Sequence, residues 1–368
     1  MKIKISKAAL SEALNNVQSV VSGKTSLSVL NNVKVEAKDG KVNFTCSDLD
    51  ITLFARAECE VIEEGATTIP IKTFAAAVNK VVAGDIELSV NNKDEAKLKA
   101  GTTVFKFQGL PAKEFPNLPS ADGSTCTVDA QVVREMLRKT AFAMSADESR
   151  AALSSVLLDF EQDGGIAKAV ATDGRRLSTI EVEVAKKTGF NGKFSLSRKA
   201  VDLLSKKMPK DGECTIVSCG TQLCFKTSRI EFTVKLLDIT YPNYSQVIPK
   251  SYNQKVTVNR VDLLGAIDRI SVVTAGAENP YVGMVFADNK IALSAITNDN
   301  GAANDEIEIK YDGESIDMKF NPQYLRDVLS ALDEDEVDFY LTHSGAPAQI
   351  KKHDAEDYIY VVMPLRIN

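Results

Sequence analysis

Chemistry built on imidazole has little material in this chain: His343 and His353 are its two histidines, and neither completes a nucleophile–histidine–acid set. Of the six cysteines, Cys214, Cys219 and Cys224 follow at intervals of five, which on strands alternates faces and gathers no ligand shell. They are expected as ordinary buried or half-buried thiols, without disulfides. Gly23-Lys24-Thr25 has the ending of a phosphate loop, but the first glycine is missing, since position 18 is Gln18. Arg175-Arg176-Leu177-Ser178 matches a kinase-substrate pattern of the kind that arises by accident. Asp48, Asp50, Asp173 and Asp299 are left. Paired carboxylates can hold Mg²⁺, but recurring at one strand end they read better as turn caps. No metal and no cofactor is expected.

Those aspartates recur because the chain does. Residues 255–275 alternate at Val256 and Val258, reach the cap candidate Asn259, then carry Leu263, Ile267 and Ile270 at helical spacing. Residues 2–21 repeat the pattern with Ser6, Leu10, Leu14, Val17 and Val21, and residues 126–144 with Asp129, Val133, Leu137 and Met144. Three copies begin about 125 residues apart, the mark of an internal repeat. Each copy contains strand–helix–strands twice, with Asp39-Gly40 as a hairpin turn and Asn321-Pro322 as a helix start. Two proline-bearing linkers, FPNLP at 115–119 and YPNY at 241–244, punctuate the copies. The fold class expected is α+β: three repeated domains at 1–120, 125–249 and 252–368, each with two helices and two antiparallel sheets.

With 368 residues, 44% hydrophobic and 26% charged, the chain is expected to be a soluble globular protein with a full core. No apolar run approaches the ~18 residues of a membrane span, and MKIKIS lacks a secretory core, so a cytoplasmic location and no membrane partner are expected. Net charge is −6, yet the six helical segments together carry +6, leaving −12 on everything else. A basic helical face beside an acidic remainder suits sequence-blind contact with phosphates. No aromatic-rich strand surface offers base stacking, which favours duplex over single strand.

Three double units in register, ATDGRRLS at 171–178, the two linkers and the terminus YVVMPLR at 360–366 resemble the bacterial sliding clamps, the beta subunits of DNA polymerase III, over essentially the whole chain. The resemblance implies a non-catalytic processivity factor: a head-to-tail homodimer closing six clamp domains into a ring around duplex DNA, whose sequence it ignores. It further implies that short peptide motifs of the replicative polymerase subunit, the clamp loader and other replication and repair proteins dock on it. Simple geometry agrees. Twelve helices spaced by about 9–10 Å make a perimeter of about 110 Å, and removing helix radii of about 5 Å leaves a hole of about 25 Å, wide enough for duplex and water.

Carried over by position, the family's DNA-contacting residues fall on Lys24, Arg198 and Lys199, with Arg150 at the second-domain helix turn. Ala151 and Ala152 stand where some members have bulky polar or aromatic groups. The peptide pocket falls on Leu153, Thr172, Gly174, Arg176 and Leu177, on Pro242 and Val247 of the linker, and on Val361, Met363, Pro364 and Leu365 of the terminus. Arg175 stands where some members have His. The dimer seam would set Phe105 and Phe107 of one subunit near Val272 and Val273 of the other, with Lys72 facing Asp305 and Glu306.

Two other classes compete: a repeat-built enzyme with a site at a domain junction, and an oligomeric scaffold without DNA. The first needs a catalytic set that the sequence does not supply. The second is separated by threading onto circular but not linear duplex.

Overall fold

The computed structural model describes residues 1–21, 27–82, 84–117, 122–161, 165–184, 190–297 and 301–366. Its α-helices are α1 (Lys7–Val17), α2 (Ile71–Lys80), α3 (Ala130–Arg138), α4 (Arg198–Lys207), α5 (Arg260–Ile270) and α6 (Pro322–Ala331), two in each repeat. Except at α2, which follows Pro70 without a side-chain cap, their starts follow the caps that the sequence offers. Ser6 Oγ accepts from Ala9 N at 3.2 Å, Asn259 Oδ1 from Val261 N and Asp262 N at 3.0 Å, and Asn321 Oδ1 from Gln323 N at 2.9 Å with Pro322 next.

The helical pattern read through Met144 stops earlier. Helix α3 ends at Arg138, Thr140 Oγ1 donates to Met136 O at 2.6 Å, and a 3₁₀ turn, Ala141–Ala143, follows. Ser271 Oγ does the same to Ile267 O at 2.5 Å beyond α5, before the 3₁₀ turn Ser271–Thr274. A hydroxyl bonding back to the i−4 carbonyl competes with continuation of the helix.

The chain forms two compact units. The first comprises Met1–Gln131, Val184–Phe190 and Asp202–Leu236; the second comprises Val132–Glu183, Asn191–Val201 and Leu237–Asn368. The first unit holds a five-stranded antiparallel sheet in the order Glu60–Glu63, Lys2–Ser6, Asp85–Val90, Glu95–Ala100, Thr103–Gln108. Its eight-stranded sheet runs Ser124–Asp129, Glu213–Cys219, Gln222–Lys226, Ile230–Lys235, Ile51–Glu58, Lys41–Ser47, Asn32–Lys38, Gly65–Pro70. Half of that sheet comes from the first repeat and half from the second. They join antiparallel, with Val234 opposite Ile51 and Ile230 opposite Ala55.

The second unit repeats this device. Its eight-stranded sheet runs Gly192–Ser197, Ser155–Phe160, Ile166–Thr172, Arg176–Glu183, Tyr358–Val362, Ala348–Lys352, Glu336–Leu341, Gln254–Asn259. Second and third repeats meet in the middle, with Leu177 opposite Val361. A four-stranded sheet follows the order Gly301–Glu308, Lys290–Thr297, Val282–Ala287, Ile316–Phe320. Every repeat therefore contributes strands to two antiparallel sheets, as expected. Helical stripes close each core: Leu10 and Leu14 of α1 are fully buried in the first unit, Leu263 and Ile267 of α5 and Leu325 of α6 in the second. Each such side chain contributes about 1.5–3 kcal/mol through burial.

Candidate functional site

The turn between Ile166–Thr172 and Arg176–Glu183 is fixed by its own side chains. Thr172 Oγ1 donates to Arg176 O at 2.6 Å and accepts from Gly174 N at 3.1 Å. Asp173 Oδ1 accepts from Arg175 N at 2.8 Å and Arg176 N at 3.0 Å. This carboxylate is a turn cap, and Asp48 is another, bonding Asp50 N at 3.1 Å and Ile51 N at 2.7 Å. Asp299 lies outside the described residues. Gly174 has φ +89°, and a Cβ there would meet Leu153 Cδ1 at 4.0 Å. The position thus favours glycine for its backbone conformation and leaves open space above.

Below the turn lies an apolar floor of four buried residues, Leu157, Val170, Leu177 and Val361, with Tyr241, Tyr244, Ile248 and Ile359 packed against it. Tyr241 Oη donates to Val170 O at 3.2 Å, and burial raises the pKa of this phenol above its ordinary value. In the linker, Pro242 and Val247 are exposed while Tyr241, Tyr244 and Ile248 turn inward. Met363 N donates to Arg175 O at 2.9 Å, prolonging the ladder past Val362, and its side chain stays exposed. Pro364 and Leu365 are half-buried, Leu365 N donating to Lys319 O at 2.7 Å. Leu153, Thr172, Gly174, Leu177, Val361 and Met363 thus share one neighbourhood, an apolar floor with a flexible thioether at its rim.

Arg176 departs from this arrangement. Its side chain is 9% exposed and points into the protein. Nε meets Asp173 Oδ2 at 3.1 Å, Nη1 meets Asp327 Oδ2 at 2.5 Å, and Nη2 donates to Phe142 O at 2.6 Å. The guanidinium lies 4.3 Å over the Tyr324 ring. Burial works against its charge, but Tyr360, Asp327 and Asp173 outweigh that and raise its pKa. The sequence reading missed Leu157, Val170, Tyr241, Tyr244, Tyr324 and Asp327. The run Val156-Leu157-Leu158, apolar on both strand faces, was the available signal that something covers the outer face.

The basic residues divide similarly. Lys24 lies outside the described residues. Arg150 and Arg198 converge on Ser145: Arg150 Nη2 donates to its Oγ at 2.9 Å, and Arg198 Nη2 to its carbonyl at 2.7 Å. Arg198 also reaches Met144 O at 3.2 Å, and Asp147 Oδ2 lies 3.4 Å from Arg150 Nε. Lys199 is exposed at the start of α4. Much of the remaining helical charge serves packing. Lys139, buried, meets Glu135 at 2.6 Å; Arg269 meets Asp305 and Arg326 meets Asp268, each at 2.6 Å; Arg138 pairs with Asp333. Among the described residues Lys72, Lys80, Lys206 and Lys210 have no ion-pair partner.

Four of the residues expected at the seam lie on two sheet edges. In the first unit Phe105 and Phe107 sit on Thr103–Gln108, rings 6.4 Å apart, with Phe107 edge-on to Phe74 at 5.5 Å. Lys72 is exposed on α2. In the second unit Asp305 and Glu306 sit on Gly301–Glu308, held by Arg269 at 2.6 Å and Lys290 at 2.9 Å. Val272 is 71% exposed and Val273 half-buried.

All six cysteines are free, and burial pushes the Cys224 thiol up to about 11 and Cys214 up to about 12. Asp338, His353 and Asp354 bring potential ligand atoms together, but Lys255 Nζ stands 3.0 Å from Asp338 and 3.1 Å from Asp354. Among the described residues no helix is long and apolar enough to cross a membrane.

Three repeats that share sheets, with an apolar floor at one junction, define a repeat-built binding protein. Family models of the DNA polymerase III beta subunit match its N-terminal domain at residues 1–119, its central domain at 127–243 and its C-terminal domain at 245–366. The chain is 30% identical over 375 residues to the beta sliding clamp of Caulobacter vibrioides and 28% identical over 369 to that of Chlamydia pneumoniae, covering 100% of each chain in both cases. The crystal structure of the DNA polymerase sliding clamp from Bacillus subtilis matches with a TM-score of 0.96 over 100% of both chains at 26% identity. The chain belongs to the DNA polymerase III beta subunit family, the beta sliding clamps, which are non-catalytic processivity factors of DNA replication.

Proposed function

We propose that two copies of this chain, each with clamp domains at 1–120, 125–249 and 252–368, close head to tail into a ring around duplex DNA in the cytoplasm. The observation that carries the reading is a rule of strand pairing. Strand Ile230–Lys235 of the second repeat pairs with Ile51–Glu58 of the first, and Tyr358–Val362 of the third pairs with Arg176–Glu183 of the second. By the same repeat positions, Thr103–Gln108 should pair with Gly301–Glu308, yet each is an edge of its own sheet. Edges left unpaired invite another chain, and two unlike edges on one chain make a heterologous contact that closes a ring or runs on. Closure between two copies supplies both missing pairs. Phe105 and Phe107 then contribute apolar surface, and Lys72 would join acids already balanced by Arg269 and Lys290.

Lys24, Arg150, Arg198 and Lys199 supply phosphate contacts that are blind to sequence, and the floor beside Gly174 takes short apolar peptides of the replicative polymerase, the clamp loader and other replication and repair proteins. Replacing Val273 with Asp would bury an unpaired charge at the seam. Light scattering should then report monomer with an unchanged circular dichroism spectrum, and retention on nicked circular duplex should disappear. A dimer persisting at sub-micromolar concentration would refute the seam. Within the dimer, Arg198→Ala with Lys199→Ala should lower the slope of log affinity against log salt by about 0.9 for each phosphate no longer neutralised; an unchanged slope would remove these residues from the interface.

A further inference from the structure

The pocket turn is anchored from outside its own repeat. Arg176 is at once a turn residue and a buried cation: its N–H bonds to Asp173 Oδ1 at 3.0 Å, its carbonyl accepts from Thr172 Oγ1 at 2.6 Å, and its guanidinium reaches Asp327 on α6 at 2.5 Å. Gln323 Nε2 donates to the other Asp327 oxygen at 2.7 Å, and the Tyr324 ring underlies the guanidinium at 4.3 Å. The terminus is tied to the same turn of helix. Tyr360 Oη donates to Tyr324 O at 2.9 Å, one residue before Val361 of the floor.

We infer that Asp327 is a positioning residue for the peptide pocket: by holding Arg176 beneath the turn it fixes the backbone that carries Gly174 and Leu177. The reason is competition for Asp173. That carboxylate accepts from two turn amides through one oxygen and from Arg176 Nε through the other. Without the Asp327 charge, a buried guanidinium faces Asp173 as its one remaining carboxylate partner, and it draws that group off the turn amides. The turn then loosens where the peptide must lie.

The inference rests on the pocket proposed above, and the test separates the two. The full-length chain is titrated by fluorescence anisotropy with a labelled pentapeptide bearing two adjacent bulky apolar side chains, and the Gly174 amide is followed by NMR without peptide. Asp327→Asn should weaken binding about tenfold and shift the Gly174 amide, whereas Asp327→Glu should recover most of the affinity. Asp333→Asn removes the exposed partner of Arg138 just past the same helix and should leave both readouts unchanged. Wild-type affinity in Asp327→Asn, or an equal loss in Asp333→Asn, overturns the inference, the latter by showing a general loosening of α6. A wild-type chain that fails to bind overturns the pocket, and the Gly174 shift alone then decides whether Asp327 positions the turn.

Discussion

Residues 47–52 and 172–177 are one turn written twice. Ser47 Oγ donates to Ile51 O at 3.1 Å and accepts from Leu49 N at 3.1 Å, as Thr172 does with Arg176 O and Gly174 N. Asp48 and Asp173 cap the same two amides, and the following strand reaches back alike, Lys235 N to Asp50 O and Met363 N to Arg175 O. What differs is what the turn carries. Leu49 takes φ +79° where Gly174 takes +89°, and its side chain is 52% exposed. Under the first turn the equivalent pairs are Lys34 opposite Thr45 and Thr52 opposite Thr233; under the second they are Leu157 opposite Val170 and Leu177 opposite Val361. Backbone geometry is therefore the shared scaffold, and what sets the second turn apart is one missing side chain and four apolar ones.

Three changes would break or sharpen that contrast, and a fourth tests a site away from it. The largest effect belongs to Gly174→Leu, which copies the first turn onto the second. Its side chain enters the open space and a positive φ costs about 1–2 kcal/mol, so peptide affinity should fall about a hundredfold or more by calorimetry while the dimer persists. Retained affinity would mean that the peptide lies elsewhere. Next comes Val361→Thr, copying Thr233. A hydroxyl without a partner in this floor costs about 1–3 kcal/mol, to be read as an earlier urea midpoint together with weaker peptide binding; an unchanged midpoint would show that the floor tolerates polarity.

The converse change, Leu49→Gly, relieves the strained φ of the first turn and should raise the melting temperature by about 2 °C. It should create no second binding stoichiometry, because Thr52 and Thr233 stay polar. A second peptide per chain would put the whole contrast on the turn alone.

The smallest effect is expected away from both turns. His353 Nδ1 lies 2.9 Å from the buried Asp338, and that hydrogen bond, ahead of the neighbouring charges, raises the histidine's pKa. Its folded value exceeds its unfolded one, so its stabilising contribution is full below about pH 6.5 and disappears as pH rises through the raised value. The melting-temperature difference between wild type and His353→Gln should shrink from pH 5.5 to pH 8.5. A difference that grows over that range would reverse the sign.

Repeat, helix count and turn caps were legible because each depends on local chemistry: Ser6, Asn259 and Asn321 announce helices, and Asp173 closes a turn, whatever the tertiary setting. The last strand, Tyr358–Val362, was legible from its apolar run before Pro364. Arg176 was not. As a residue type it suits a pocket rim, and only the approach of Asp327, 151 residues later in the chain, turns it inward. The basic helical face was half legible for the same reason. The charge count was right, but Arg138, Lys139, Arg269 and Arg326 spend their charge on acids that the fold brings to them.

The sharing of sheets between repeats sets a schedule for synthesis. Ile51–Glu58 leaves the ribosome early, but its partner Ile230–Lys235 follows about 180 residues later. At about 5–20 residues per second, this strand waits roughly 10–40 s with one backbone edge open. The wait for Arg176–Glu183 and Tyr358–Val362 is of the same order. Nascent chains on one polysome therefore carry matching unpaired edges, and each could accept the partner strand of a neighbour instead of its own. A repeat architecture that closes seamlessly when complete is, while it is being made, open to exchange between chains.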